Sequence, residues 1–276
     1  MLIKNVNLKD EFPNLENNVN LGVYCPLDLK ELNDHRLRKT ILIIPGGGYC
    51  WVSQREAEPI ALRLLGLGYN AFVLYYSTNP LCQLGPIYEG FAAVAYIRKH
   101  AEELCVNPDS ISVMGFSAGG HLAASMSCYF TEDKYSKYLN VPKEDIVING
   151  CVLGYPVITM DDYTHQITME NVTKNDESLK QYYSIEKNIT NRFPKTFIWT
   201  TFDDEAVNSL NSIELVKQLR LHNVLCEFHL YPHGHHGASL ADSTVYPISL
   251  NQKELDDLKY FDNWFDHFLN FLEKYL

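Results

Sequence analysis

Short apolar, β-branched runs alternate along the chain with longer stretches whose apolar residues recur every three or four positions. The first pattern predicts buried strands and the second amphipathic helices. Leu2–Leu8 and Val19–Cys25 read as strands, followed by a polar turn region at Asp28–Lys39. Thr40–Ile44 is expected to be a central strand. A helix is expected to start near Ser53, because Ser53 and Glu56 have the S-x-x-E spacing of a capping box and Ile60, Leu64 and Leu65 follow at helical spacing. Asn70–Tyr76 is a further strand, and Tyr88–Glu103 a helix with Phe91, Val94, Ala95 and Leu104 near one face. The turn Asn107-Pro108-Asp109 leads into a strand at Ser110–Met114, and Ala118–Tyr129, rich in Ala, Leu and Met, reads as a helix. Ile148–Leu153, Thr196–Thr201 and Cys226–Tyr231 are the remaining strands, with a helix at Ile213–His222. Residues 156–193 are polar and irregular, and are expected to form an insertion over the top edge of the sheet. Leu258, Phe261, Trp264, Phe265, Phe268 and Leu272 form one stripe of a C-terminal helix, Leu255–Leu276, which suits core packing better than a partner surface. Strands alternating with helices, without repeats or a low-complexity linker, predict one α/β domain with a mostly parallel sheet covered on both faces.

One motif changes this picture from architecture to chemistry. Gly115-Phe-Ser-Ala-Gly119 matches G-x-S-x-G and falls between a predicted strand and a predicted helix. That context is the one in which the motif forms a nucleophile elbow. Glycines at Gly115 and Gly119 remove Cβ atoms where strand and helix crowd together, so Ser117 can occupy a strained backbone position with its hydroxyl pointing out. An ordinary turn is the competing reading of the bare pentapeptide.

Composition narrows the classes. The chain has 276 residues, 46% of them hydrophobic, which is ample for a core. The 23 Lys and Arg against 34 Asp and Glu give a net charge of −11, with no basic stripe, which argues against nucleic acid and anionic membrane surfaces as partners. No segment approaches the roughly 18 consecutive apolar residues of a membrane span. The N-terminal residues lack the apolar region of a signal peptide, so a cytoplasmic location is expected. On that basis the sequons Asn171-Val-Thr173 and Asn188-Ile-Thr190 are read as coincidence. Seven cysteines, an odd number without CxxC spacing, fit reduced thiols and neither a disulfide framework nor a zinc site.

A serine hydroxyl needs a neighbouring base oriented by a carboxylate. Both are expected on loops after later strands. After Thr196–Thr201 the chain reads Phe202-Asp203-Asp204-Glu205. Asp204, which opens a D-x-x-V string ending at Val207, is the favoured acid, with Asp203 the runner-up. All three acids could instead simply cap the following helix. After Cys226–Tyr231 come His233, His235 and His236, which with His229 make four histidines in eight residues. Exposed loop histidines and a metal site are the other readings of this cluster; the HExxH spacing and a nearby ligand partner are missing, so no metal is assigned. His236, followed by Gly237, is the favoured base. Oxyanion donors are expected from the backbone N–H of Ala118 and from Gly47 or Gly48 in the loop Pro45-Gly-Gly-Gly-Tyr49. A phosphate-binding reading of that loop fails, since no Gly-Lys-Ser/Thr follows and Trp51 occupies the place of a third Rossmann glycine.

Taken together, Pro45-Gly-Gly-Gly-Tyr49 with Ser53-Gln-Arg-Glu56, Gly68-Tyr-Asn-Ala-Phe-Val73, Gly115–Leu122, Phe197–Thr201 with Asp203 and Asp204, and Pro232-His-Gly with His236-Gly237 resemble the small esterases of the α/β-hydrolase superfamily related to acetyl-xylan esterases and to the hormone-sensitive-lipase-like branch. The matching segments run from about residue 40 to 240. The resemblance implies an α/β-hydrolase fold and Ser117, Asp204 and His236 as the triad. Three positions depart from the family pattern: Pro45 replaces a His before the glycines, Asn208 a Pro, and Gly234-His235-His236-Gly237 the usual Gly-Gly-His-Gly, which leaves His235 as an alternative to His236.

The leading expectation is thus a serine carboxylesterase for short acyl esters, with acetyl groups on sugars as the expected substrates, a small-molecule ester as partner and no cofactor. A peptidase of the prolyl-oligopeptidase type and a non-catalytic binding protein on the same scaffold are the alternatives. Tyr49, Trp51 and Tyr155 are expected to line the substrate pocket together with the 156–193 insertion. A homodimer or larger assembly is only a base-rate expectation.

Overall fold

The structure, a computed structural model, describes residues 1–29, 31, 36–80, 84–246 and 250–276. Its strands are β1 (Leu2–Asn7), β2 (Asn20–Cys25), β3 (Arg38–Ile44), β4 (Asn70–Tyr75), β5 (Val106–Phe116), β6 (Gly150–Gly154), β7 (Lys195–Thr201) and β8 (Cys226–Tyr231). They form one 8-stranded sheet in the order β1-β2-β4-β3-β5-β6-β7-β8. β2 pairs antiparallel with β1 and β4, and every pair from β4 to β8 is parallel. The expected mostly parallel sheet is therefore present.

The central strands read as nearly unbroken apolar runs because both faces are covered. Side-chain alternation divides each run between two cores. Leu42 and Ile44 of β3, with Phe72 and Leu74 of β4, face one core, into which α2 (Gly85–Lys99) sends Phe91 and α3 (Ser117–Tyr129) sends Leu122. Ile41, Ile43, Ala71 and Val73 face the other, shared with Ile60 and Leu64 of α1 (Glu58–Gly66). The whole C-terminal stripe of Leu258, Phe261, Trp264, Phe265, Phe268 and Leu272 is fully buried in this second core. α4 (Asp133–Leu139) and α7 (Leu210–Leu221) complete the layers; α4 had no counterpart in the sequence reading.

Several boundaries differ from expectation for identifiable reasons. α2 begins at Gly85 because Pro86 suits a first helical turn, where its missing N–H costs nothing. β5 extends back to Val106, and the Asn107-Pro108-Asp109 turn survives as an irregularity between the pairs Arg38↔Val106 and Thr40↔Ile111, held by Asp109 N–H on Asn107 Oδ1 at 3.1 Å. The single C-terminal helix is two, α8 (Gln252–Leu258) and α9 (Trp264–Tyr275), with the intervening turn seating Phe261 against Trp199. Residues 156–193 are less irregular than expected: they hold α5 (Gln166–Thr173) and α6 (Glu177–Tyr183), and Tyr182 stacks on Tyr129 of α3 at 4.3 Å. The turn region expected at Asp28–Lys39 lies partly outside the described residues.

Parallel strands deliver their following loops to one edge. The loops after β3, β5, β7 and β8 emerge together, since Ile44 pairs with Gly115 and Thr201 with Tyr231. Clefts of α/β sheets form at this carboxyl end.

Candidate active site

Ser117 stands at the junction of β5 and α3 with φ at 53°, in the left-handed region that non-glycine residues avoid at a cost of order 1–3 kcal/mol. Close packing enforces the turn. A Cβ on Gly119 would lie 2.1 Å from the Ile44 carbonyl oxygen, and one on Gly115 would lie 2.3 Å from the Gly119 carbonyl oxygen. With no side chains there, α3 seats directly on the ends of β3 and β5.

Three loops converge on this serine. His236 Nε2 lies 2.8 Å from Ser117 Oγ, and His236 Nδ1 lies 2.7 Å from Asp204 Oδ2. The carboxylate accepts at Nδ1, so the neutral ring carries its proton there and leaves Nε2 free to accept the serine proton. Asp204's side chain is inaccessible to solvent, and its Oδ1 accepts the Ala206 and Val207 amides at 2.9 and 2.8 Å. Those two bonds fix the carboxylate independently of the histidine. Asp203 is engaged elsewhere: Oδ2 meets His233 Nδ1 at 2.9 Å and Oδ1 accepts the Gly234 amide. His235 Nδ1 meets the carbonyl of His236. The pairing thus links Ser117 to His236 and Asp204, and sets Asp203 and His235 to shaping the loop.

The glycine loop after β3 passes alongside. Gly47 and Gly48 have φ of 121° and 62°, which presents their backbone rather than side chains to the cavity. Ala118 lies in the first turn of α3, where amides have no intrahelical acceptor. A cavity of about 180 Å³ is lined by Ser117, His236, Gly47, Gly48, Trp51 and Ile167, with His165, Arg55 and Glu56 at its walls. Wider hollows elsewhere, such as one of about 490 Å³ beside Leu15 and Tyr88, contain no comparable nucleophile and base.

Two of the three expected pocket aromatics do not line this cavity. Tyr49 is 1% exposed, its hydroxyl 3.0 Å from His121 Nδ1 and its ring against Tyr76. Tyr155 is 2% exposed, its ring 4.9 Å from the His236 ring and its hydroxyl donating to Glu56 Oε1 at 2.7 Å. Each phenol finds a polar partner beneath the loops, which holds the ring in the core. Trp51, 63% exposed, does line the cavity.

Sequence reasoning overlooked four residues. Glu56 is no helix cap: Ser53 makes no side-chain cap bond, α1 starts at Glu58, and Glu56 is buried with Oε2 accepting the Gly46 amide at 2.8 Å. Asn171, noticed only as part of a sequon, donates to the Gly48 carbonyl at 2.8 Å and so ties α5 to the glycine loop. His165 and Ile167 reach the cavity from the start of α5. Burial, with His236 nearby, holds the His165 pKa below its ordinary value. The motifs holding Glu56 and Asn171, a capping-box spacing and a sequon, pointed to other roles, and His165 and Ile167 had no motif at all.

The four clustered histidines do not converge on one point. His229 instead joins Glu227 and His267, whose ligand atoms lie within 4.8 Å of one another; among the described residues this is the group able to hold a metal ion. None of the three lines the serine cavity.

The profile of the BD-FAE family matches residues 27–219. The chain belongs to the BD-FAE family. Relatives of this family member include the endo-1,4-beta-xylanase B of Butyrivibrio fibrisolvens, 34% identical over 224 residues, covering 78% of the chain and 34% of that protein. An acetylxylan esterase of Xylanibacter ruminicola is 29% identical over 212 residues, covering 72% of the chain and 41% of that protein. The chain thus spans about a third of the length of one of these relatives and about two fifths of the other. Among solved structures, an acetyl ester-xyloside bifunctional hydrolase from Caldicellulosiruptor lactoaceticus has TM-score 0.78 and 29% identity, covering 96% of both chains. MGS-M1, an alpha/beta hydrolase from a deep-sea metagenome, has TM-score 0.76 and 32% identity, covering 99% of this chain and 97% of that one. This BD-FAE member has the α/β-hydrolase fold.

Proposed function

We propose that the chain is a serine carboxylesterase for short acyl esters. The observation carrying this reading is the continuous path from Ser117 Oγ through the His236 ring to Asp204, with distances of 2.8 and 2.7 Å, beside a glycine loop and a helix N-terminus. Ser117 attacks the ester carbonyl while His236 Nε2 takes its proton. Asp204 stabilises the imidazolium without itself being protonated. The amides of Gly47 or Gly48 and of Ala118 take the developing oxyanion. His236 returns the proton to the departing alcohol, and water repeats the sequence on the acyl-enzyme, releasing the acid and the free serine.

Substrate size follows from the cavity. About 180 Å³ is below the roughly 300–1,000 Å³ of ordinary ligand pockets and suits an acetyl group, with the alcohol outside near exposed Trp51. The acetylxylan esterase and the acetyl ester-xyloside hydrolase among its relatives support acetylated sugars as the substrate class. No helix of the described residues is long and apolar enough to cross a membrane, and the 156–193 segment serves as a small cap. Turnover of p-nitrophenyl acetate, butyrate and octanoate, acetylated xylo-oligosaccharides and an aminoacyl p-nitroanilide tests the proposal. The expected order is acetyl over longer acyl, with the amide untouched. Preferential cleavage of the anilide would replace this reading with the peptidase one.

A further inference from the structure

We propose that Glu56 is a positioning residue that locks the oxyanion loop and the histidine loop to one another. A carboxylate buried to 2% exposure is costly unless its charge is used, and no ion pair to Glu56 is seen among the described residues. Its two oxygens instead hold two loops. Oε2 accepts the Gly46 N–H at 2.8 Å, at the root of the Gly47–Gly48 turn. Oε1 accepts the Tyr155 O–H at 2.7 Å. Tyr155 oxygen in turn accepts the Ser239 N–H at 3.0 Å, three residues beyond His236, while the Tyr155 ring stands edge-on to the His236 ring at 4.9 Å. Ser239 closes the circuit by donating its hydroxyl to the carbonyl of Arg55, the neighbour of Glu56, at 2.6 Å.

The loop held by Oε2 also touches the nucleophile. A Cβ at Gly46 would lie 2.9 Å from Glu56 Oε2 and 2.9 Å from Ser117 Cβ, so Gly46 is wedged between carboxylate and serine with no space to drift. The oxyanion donors and the imidazole come from loops far apart in sequence. Their relative placement decides whether both engage the same tetrahedral carbon, and this circuit sets it. Hydrogen-bond accounting makes the carboxylate specific. Gly46 N–H and Tyr155 O–H are both donors aimed at Glu56, and the Tyr155 acceptor is already used by Ser239, so the residue must offer two acceptor atoms. Glutamine offers one and turns a donor toward a donor; aspartate keeps two but falls a methylene short.

This inference rests on the triad reading above. The test compares wild type with Glu56→Gln, Glu56→Asp, Tyr155→Phe and the double variant Glu56→Gln/Tyr155→Phe. It reads kcat and KM on p-nitrophenyl acetate per titrated site, the Ki of a small alkyl boronic acid, which mimics the tetrahedral adduct, and the rate of fluorophosphonate labelling of Ser117. The expected result is kcat lower by roughly 10- to 100-fold in Glu56→Gln and Glu56→Asp, a figure in line with sub-ångström misplacement. KM changes little, and boronate affinity falls in step with kcat. Tyr155→Phe, which cuts the same circuit, shows a smaller loss, and the double variant is little worse than Glu56→Gln. Wild-type kcat and Ki in folded Glu56 variants, whatever their thermal stability, would overturn the proposal, as would losses that multiply in the double variant. Where Glu56→Gln does not fold, Tyr155→Phe gives the decision alone. Wild type that is not labelled at Ser117 would remove the triad reading and this inference with it; labelling of wild type and Glu56 variants at equal rates would remove only the inference.

Discussion

Replacing Asp204 by asparagine separates orientation of the histidine from every other task of this residue. The Asp204 Oδ1 bonds to the Ala206 and Val207 amides survive in asparagine, because its carbonyl oxygen can take the same place. The amide nitrogen then faces His236 Nδ1, 2.7 Å away in the native pairing. An N–H there is satisfied only by an Nδ1 lone pair, so the ring carries its proton on Nε2 and donates toward Ser117 instead of accepting from it. The base is lost while the fold is kept. The expected fall in kcat is about 10⁴-fold at neutral pH, or about 5 kcal/mol of transition-state stabilisation at 1.36 kcal/mol per decade. Asp203→Asn is the control. It weakens contacts to His233 and the Gly234 amide and leaves His236 paired, so a loss under about ten-fold is expected. Initial rates on p-nitrophenyl acetate, with circular dichroism and melting curves for both variants, give the answer. Asp204→Asn within ten-fold of wild type, or Asp203→Asn as the severe variant, refutes the assignment.

Other consequences follow from the same geometry. His121 is fully buried, with Nε2 on the Tyr183 carbonyl and Nδ1 facing the Tyr49 hydroxyl, and burial pushes its pKa from 6.5 down to about 4. Between those values the unfolded chain binds a proton that the folded chain refuses, so its contribution is fully present above about pH 6.5 and stability falls as pH drops toward 4, by on the order of 3 kcal/mol. Urea unfolding of wild type and His121→Asn at pH 7 and 4.5 checks this; equal pH dependence would count against it. Ile167 Cγ2 lies 3.4 Å from where a Gly48 Cβ would stand, so Ile167→Ala opens the cavity over the glycine loop. The butyrate-to-acetate ratio of kcat/KM is expected to rise about ten-fold, and an unchanged ratio would place the acyl chain elsewhere. Trp264 is fully buried, stacks on Trp199 at 4.9 Å and donates to the Ser239 carbonyl at 2.9 Å. Trp264→Ala is expected to cost about 3–5 kcal/mol by denaturant titration, and a loss below about 1 kcal/mol would contradict the packing described.

What the sequence disclosed depended on how local the physics was. Short apolar runs report strands buried on both faces and period-3.6 patterns report helices buried on one, so β3, β4, β7 and β8 and the stripe ending at Leu272 were legible to within a few residues. α4 and α5 were not, because short helices packed on other helices, here burying Tyr135 and Leu139 in α4 and Met169 and Val172 in α5, have no room for a full period. The break between α8 and α9 was hidden because Phe261 keeps the stripe intact while the backbone leaves the helix. At the site, Ser117, Asp204 and His236 were marked by glycines and by strand ends, and the structure brings them within hydrogen-bond distance. Glu56, Asn171 and Tyr155 act through partners 10, 123 and 99 residues away in the chain. Such contacts leave no local trace: Glu56 resembled a helix cap because a carboxylate three residues after a serine suits both settings, and Tyr155 resembled a pocket aromatic because phenols serve either side of a cavity wall.

The central claim is that Ser117 is the acyl-accepting nucleophile, and intact-protein and peptide mass spectrometry after reaction with a fluorophosphonate tests it most directly. The account predicts a single adduct on the peptide holding Gly115–Gly119, formed in parallel with loss of p-nitrophenyl acetate hydrolysis, and neither adduct nor hydrolysis in folded Ser117→Ala. An adduct on another residue, or a Ser117→Ala protein that still turns over the ester, would contradict it.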